Sequence, residues 1–319
     1  MSFVHLDGTL EALKGKDCLT LTDFTPEQID ALVELAVRLK KQQKAGVQNI
    51  SLQGKVLALW FDKASTRTRL SFSVGMAQLG GHFLELQTQN LQYGRGESLE
   101  DTARTLSGYV DGIMIRTFKQ ELVEELAKYA TVPVINGLTD LFHPCQTLAD
   151  LQTLYEHKGD LNKVHVAYVG DGNNVVHSLM HGAAAVGMKL TISTPKGYEP
   201  LSRVWDEANA IAKETGAEII FDYDPKQAVK GADAVYTDVW ASMGQEEEKE
   251  KRIKDFAGYQ VNEELLQLAK SDAIFMHCLP AYRGLEVSAG VLDGPQSVVF
   301  AQAENRLHAQ KALMLSLMG

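Results

Sequence analysis

The chain has 319 residues, of which 45% are hydrophobic and 23% charged, an ordinary globular balance that excludes collagen, coiled coil and wholesale disorder. Its 31 Lys and Arg stand against 41 Asp and Glu, and a net charge of −10 repels a nucleic-acid backbone. At roughly 100 to 200 residues per domain, the length predicts two domains.

No apolar run is long enough for a membrane span, and the opening residues lack the order of a signal peptide, so a cytoplasmic protein is expected. The three cysteines, Cys18, Cys145 and Cys278, are too far apart for a paired zinc motif and are read as thiols.

Thr25-Pro26-Glu27-Gln28 carries a capping residue, a proline at the first helical position and a glutamine three residues after the cap, which starts a helix. Residues 55–61 form a short, nearly continuous apolar run, as expected of a strand covered on both faces, and a helix-like segment covers 68–79. Ser98 caps the next helix; residues 112–116 read as strand, 121–129 as helix and 132–135 as strand. A helix over 144–157 follows, then strands at 164–169, 189–192, 218–221, 234–237 and 273–276.

Strands alternating with helices predict an α/β protein with two domains, each a parallel sheet flanked by helices. The boundary is expected at the interdomain helix, giving residues 1–146 and 147–319. The closing helix, about 303–319, carries Leu307, Met314 and Met318 on one side and is expected to pack back on the first domain. The charge run 246–251 reads as a solvated, mobile segment.

The strongest local signal is Ser65-Thr66-Arg67-Thr68-Arg69, between a strand and a helix. Unpaired N–H groups and the positive end of the helix dipole, joined by hydroxyls and guanidiniums, suit a doubly charged oxyanion such as phosphate. A plain N-cap with two solvated arginines is the alternative. The Gly-rich frame of a nucleotide P-loop is missing. Arg116 closes another strand and can reach the same rim, or be a surface arginine. His143 and Gln146, at the start of the interdomain helix, suit a carbonyl oxygen as donors, with a capping role as the alternative.

Gly170-Asp171-Gly172 invites a dinucleotide reading, but Val175 replaces the third glycine and the next strand ends without an acidic residue. Asn174 is placed to hold a polar group of a small substrate, or to make an Asx turn. His177 and His181 are one helical turn apart, yet no third ligand declares itself, and no metal is expected. Asp238 ends a strand ahead of a loop containing Ser242 and Met243, and can meet a cationic substrate or cap a helix. His277-Cys278-Leu279-Pro280 puts a thiol at a strand end, where strand alternation would turn His277 to the opposite face from Cys278.

Together the Ser65–Arg69 run, Arg116, His-Pro-Cys-Gln at 143–146, the Asn174 turn, Asp238 with Ser242-Met243-Gly244, His-Cys-Leu-Pro at 277–280 and Ala303-Glu304-Asn305-Arg306 resemble the aspartate/ornithine carbamoyltransferase family over nearly the whole chain. The 277–280 run and the Asp-x-Trp-x-Ser-Met-Gly pattern resemble its ornithine branch.

The resemblance implies that Ser65, Thr66, Arg67 and Thr68 hold the phosphate of carbamoyl phosphate. Arg116, His143 and Gln146 would address its carbamoyl end, and Arg306, Cys278 and Leu279 are further contacts. Gln92 matches a residue lent to a neighbouring subunit, in a family that is trimeric at base. Asn174, Asp238, Ser242 and Met243 match contacts to L-ornithine, with Arg116, His143, Asp238 and Cys278 as the catalytic set. The implied products are L-citrulline and phosphate, with no cofactor, because the donor is already activated. A carbamoyltransferase for another amine, such as putrescine or aspartate, is the alternative within the class. A nicotinamide dehydrogenase and a phosphate-responsive binding protein are rivals outside it.

Overall fold

The computed structural model describes residues 8–241 and 246–319. They divide into two compact units, one made of residues up to Gln152 together with Glu304–Gly319, the other of Thr153–Ala303.

In the first unit the chain runs α1 (Pro26–Lys44), β1 (Val56–Phe61), α2 (Thr66–Gln78), β2 (His82–Gln87), α3 (Leu99–Ser107), β3 (Gly112–Arg116), α4 (Gln120–Tyr129), β4 (Val134–Leu138) and α5 (Pro144–Lys158). The sheet is parallel with order β2-β1-β3-β4. Thr25 caps α1 reciprocally with Gln28, at 3.3 Å and 3.0 Å, as the four-residue signature predicts. β1 and β3 are buried on both faces, which is why Val56–Phe61 reads as a continuous apolar run.

β2 did not stand out in sequence because it is an edge strand with nearly every side chain exposed. Its sequence His-Phe-Leu-Glu-Leu-Gln therefore lacks the apolar continuity of a covered strand. The strand predicted at 132–135 lies at 134–138, because Val132-Pro133 belongs to the approach and the ladder begins at Val134.

The second unit contains β5 (His165–Val169), α6 (Asn174–Ala185), β6 (Lys189–Ser193), α7 (Ser202–Thr215), β7 (Glu218–Phe221), α8 (Pro225–Val229), β8 (Ala234–Thr237), α9 (Lys249–Asp255), α10 (Glu263–Leu266), β9 (Ile274–His277) and α11 (Ala289–Leu292). Its parallel sheet has the order β7-β6-β5-β8-β9. The core on one face gathers Ala167, Val169, Val235, Phe275 and Val299. Residues 247–251 are exposed, as their charge predicts, but they are helical from 249 on.

The last helix, α12 (Val299–Met318), returns to the first unit from Glu304 onward, so the expected pack-back holds. Its partner, which sequence alone did not name, is α2: any side chain at Gly75 would run into Met314 and Lys311. Met318 at the far end lies against Gly112 of β3.

Both sheets have a switch point where the strand order reverses, between β1 and β3 in the first and between β5 and β8 in the second. Loops leaving the carboxyl ends of such strands diverge to opposite sides and leave a crevice, the usual ligand position in open α/β sheets. The Ser65 run and Arg116 leave the first pair, while Asn173 and Asp238 leave the second.

Candidate active site

In the first unit the anion-suited run begins with Ser65, which caps α2 by accepting the Thr68 N–H at 3.3 Å and keeps its own hydroxyl proton for another partner. Arg69 turns away and forms a two-point pair with Glu85, at 2.7 Å and 2.6 Å, so only one of the two arginines is left for a ligand. Arg67 is that one: it is half-buried and has no carboxylate partner among the described residues. Thr66 is exposed at the first helical position, where its N–H has no intrahelical acceptor.

Arg116, the last residue of β3, is buried and donates from Nη1 to Thr68 Oγ1 at 3.3 Å. The same oxygen accepts Arg306 Nη2 at 3.4 Å, and Arg306 Nη1 donates to Gln146 Oε1 at 2.8 Å. Gln146 in turn donates to Asp150 at 2.9 Å. Thr68, Arg116, Gln146 and Arg306 thus form one buried network drawn from α2, β3, α5 and α12. Two guanidiniums buried around one threonine hydroxyl repel each other, and an anionic ligand beside them would offset that repulsion.

His143 is 5% exposed. Burial first, and then the charges of Arg306, Arg116 and Arg67, hold its pKa well below the ordinary histidine value. The ring is therefore neutral at physiological pH and can donate a single N–H. Cys145, two residues on, is fully buried and pushed up to about 12 by desolvation, so it stays a thiol with no reactive role. Gln92 is exposed in a short 3₁₀ turn, Gln92–Arg95. Among the described residues, Gln92 makes no hydrogen bond to this network.

In the second unit Asp238 follows β8 and is buried. Its Oδ1 accepts Cys278 Sγ at 3.0 Å and its Oδ2 accepts Asn173 Nδ2 at 2.8 Å. Asn173 also caps α6, accepting Val175 N at 3.0 Å and Val176 N at 3.3 Å. Asn173 is thus the cap and the neighbour of Asp238, roles that sequence reasoning passed over for Asn174, which occupies the first helical position. Ser242 and Met243 lie outside the described residues.

His277 departs from the expected opposite-face arrangement: one of its ring nitrogens, Cys278 Sγ and an Asp238 oxygen lie within 4.8 Å of one another. The physical reason is that β9 ends at His277, so Cys278 is past the pleat, and Leu279 enters the left-handed region at φ 58°. Both ring nitrogens are engaged, Nδ1 by Leu279 N at 2.9 Å and Nε2 with Glu286 at 3.2 Å. His277 is therefore not a base for Cys278, and a cation at this trio would have to displace one of those contacts.

Arg252 is a further residue that the charge run concealed. It pairs with buried Asp171 at 2.9 Å and donates to the Trp240 carbonyl at 2.8 Å, which fastens the chain just before residues 242–245. Desolvation raises Asp171 to about 6 despite Arg252. The Gly-x-Gly turn has a plain packing cause: Gly172 N donates to Tyr198 O at 2.9 Å, and any side chain there would collide with the backbone of 198–200. The one-turn histidine pair is also structural, since His177 Nε2 accepts Leu201 N at 3.1 Å and His181 lies 3.2 Å from Glu207. A cavity of about 380 Å³, lined by Gln43, Gln78 and Lys311 among others, shares no residue with either strand-end group.

A cluster of guanidiniums and hydroxyls at the switch point of one sheet, and a thiol–carboxylate pair at that of the other, are side chains of the kind an α/β group-transfer enzyme uses. Comparison with known proteins narrows this. Residues 16–156 match the carbamoyl-P binding domain and residues 162–317 the Asp/Orn binding domain of aspartate/ornithine carbamoyltransferase. The chain belongs to the aspartate/ornithine carbamoyltransferase family.

Among its relatives, the ornithine carbamoyltransferase of Oceanobacillus iheyensis is 61% identical over 97% of this chain and 96% of its own length. That of Anoxybacillus flavithermus is 60% identical over 99% and 100%. The solved structure of ornithine carbamoyltransferase from Pyrococcus furiosus superposes with a TM-score of 0.93 at 55% identity, covering 96% of this chain and 98% of that one.

Proposed function

We propose that the chain transfers the carbamoyl group of carbamoyl phosphate to the side-chain amine of L-ornithine, giving L-citrulline and phosphate. The carrying observation is the Asp238–Cys278 pair, a buried carboxylate and a thiol at 3.0 Å, in a unit matching the Asp/Orn binding domain.

The first unit supplies the donor site. Ser65, Thr66, Arg67 and Thr68 hold the phosphate, with Arg306 behind Thr68 and Gln146. Arg116 and neutral His143 donate to the carbamoyl oxygen. Gln92 serves the site of a neighbouring subunit, and Leu279 closes on the reacting group.

The second unit supplies the acceptor site, where Asn174, Asp238, Ser242 and Met243 hold ornithine. An alkyl ammonium with a pKa near ~10.4 is protonated at neutral pH and has no lone pair for attack. Asp238 and Cys278 orient it and favour loss of one proton. The freed nitrogen then attacks the carbamoyl carbon, and the negative charge developing on the carbonyl oxygen is met by Arg116 and His143. The carbon–oxygen bond to phosphate breaks, the new urea nitrogen releases its second proton, and phosphate departs against Arg67. Nothing in these steps calls on a metal or organic cofactor.

A homotrimer, alone or in multiples, accounts for the apolar surface of the first unit: Leu70, Val74, Phe83 and Leu84 are exposed on α2 and edge strand β2. No helix among the described residues is long and apolar enough to cross a membrane, which fits a cytoplasmic enzyme acting on small soluble substrates. The deciding experiment is amine-dependent release of phosphate from carbamoyl phosphate by the purified protein, with ornithine, putrescine and aspartate compared in turn and citrulline measured with ornithine. Turnover with ornithine alone supports the reading, and turnover with another amine in its place refutes it.

A further inference from the structure

We infer that Glu286 is a positioning residue for the transfer step, holding through the ring of His277 the backbone that carries Cys278 and Leu279. The inference rests on the function proposed above and names a group that acts at one remove from the substrate.

His277 and Glu286 are both essentially without solvent contact. Leu279 N points at His277 Nδ1 at 2.9 Å, so that nitrogen carries no proton and the ring's single proton is on Nε2. Nε2 donates it to Glu286 Oε1 at 3.2 Å, and the same oxygen accepts Tyr282 N at 2.5 Å. At the other side His277 N donates to Gln302 Oε1 at 2.9 Å. The ring is thereby fixed in tautomer and in orientation, and the Leu279 amide it grips holds a left-handed residue at φ 58°. An ordinary L-residue gains nothing from that conformation, which is unfavourable and persists only where its surroundings enforce it.

The enforced turn sets where Cys278 Sγ goes. It sits between the gripped amide and β9, and it reaches Asp238 at 3.0 Å. Glu286 Oε2, by contrast, is buried and meets no donor among the described residues. A carboxylate with one oxygen so placed is a poor choice for stability, whereas one acceptor oxygen for two converging N–H groups is what the turn requires.

The experiment compares Glu286→Ala, Glu286→Gln and His277→Asn with the unaltered enzyme in three readouts: kcat and the two KM values, thermal midpoint, and the rate of Cys278 alkylation by iodoacetamide. Cys18 and Cys145 are fully buried, so the half-buried Cys278 dominates the labelling. Glu286→Ala should lower kcat about tenfold or more with the carbamoyl phosphate KM unchanged, and speed alkylation several-fold as Sγ leaves Asp238. Glu286→Gln keeps the acceptor oxygen and should stay within about threefold on all counts.

His277→Asn preserves an acceptor for Leu279 N but not the reach to Glu286, so it should behave like Glu286→Ala even where that variant fails to fold. Unchanged kinetics and labelling in His277→Asn, or equal losses in the Ala and Gln variants of Glu286, overturn the inference. An unaltered enzyme that makes no citrulline would refute the proposed function instead, and the alkylation comparison decides the Glu286 role in either case.

Discussion

Asn173 Nδ2 lies 2.8 Å from Asp238 Oδ2, joining the turn after β5 to the end of β8 at the switch point of the second sheet. The same side chain caps α6, so one residue sets both the helix start and the carboxylate. Asn173→Ala should lower kcat/KM for ornithine by about tenfold to a hundredfold and cost ~1 kcal/mol of stability through the lost cap. Asn173→Asp keeps the cap but sets like charges against each other, so it should lose activity with less loss of stability. Steady-state kinetics beside thermal melts separate the two effects, and wild-type kinetics for Asn173→Asp would reject the role.

The two arginines of the Ser65 run should behave oppositely. Arg67→Ala should raise the KM for carbamoyl phosphate and reduce kcat/KM by about a hundredfold or more, as expected for a charge-assisted contact to a dianion. Arg69 is committed to Glu85, so Arg69→Ala should leave both KM values near their original levels. Carbamoyl phosphate titrations of the two variants side by side provide the check.

Arg306 bridges Thr68 and Gln146 with two separate N–H donors, a geometry that lysine cannot reproduce. Arg306→Lys keeps the charge, yet should weaken carbamoyl phosphate binding by about tenfold while sparing the ornithine KM. Direct binding of carbamoyl phosphate by calorimetry would show it, and an unaffected affinity would mean that charge alone suffices.

His181 gives a pH test. Burial, followed by the charges of His177 and Arg203, lowers it from 6.5 to about 4. The unfolded chain therefore takes up a proton between those values that the folded chain does not. Its contribution to stability is complete above about pH 6.5 and is lost as the pH falls toward 4, at up to ~1.4 kcal/mol per pH unit. Asp171, raised to about 6, has the opposite sign over part of this window. The clean measurement is a difference: urea unfolding of His181→Gln between pH 6.5 and 4.5 should show a slope against pH shallower by about one proton. An identical slope would place the proton elsewhere.

Gly172→Ala should destabilise the second unit by roughly 2 kcal/mol or more, because the added methyl meets backbone that cannot swing aside as a side chain would. Chemical denaturation reads the change, and a loss below about 0.5 kcal/mol would mean that the 198–200 segment yields easily.

Much of this was legible in the sequence because buried parallel strands and capped helices leave local marks. Val56–Phe61 and the Ile113–Ile115 run are apolar without interruption since both faces are covered, and Thr25 and Ser98 announce their helices by hydrogen-bonding chemistry. Edge strand β2 left no such mark, being open to solvent.

In the site, runs such as Ser65–Arg69 carry their meaning within five residues. The partners that complete them do not. Glu85 disarming Arg69, Arg252 holding Asp171 and Trp240, and Glu286 reaching His277 each depend on a fold-level encounter. The choice between Asn173 and Asn174 turned on a shift of one residue in the helix start, which no composition rule resolves.

The turn after β5 has the outline of a nucleotide-binding loop, with a strand before it and a helix after it. The room that a pyrophosphate would take beside its second glycine is filled by polypeptide, residues 198–200. That plug gives the scaffold a steric obstacle to dinucleotides, in addition to the missing third glycine and acidic residue. Converting it into a cofactor-dependent catalyst would therefore demand rerouting the segment between β6 and α7, and grafted glycines alone would accomplish nothing.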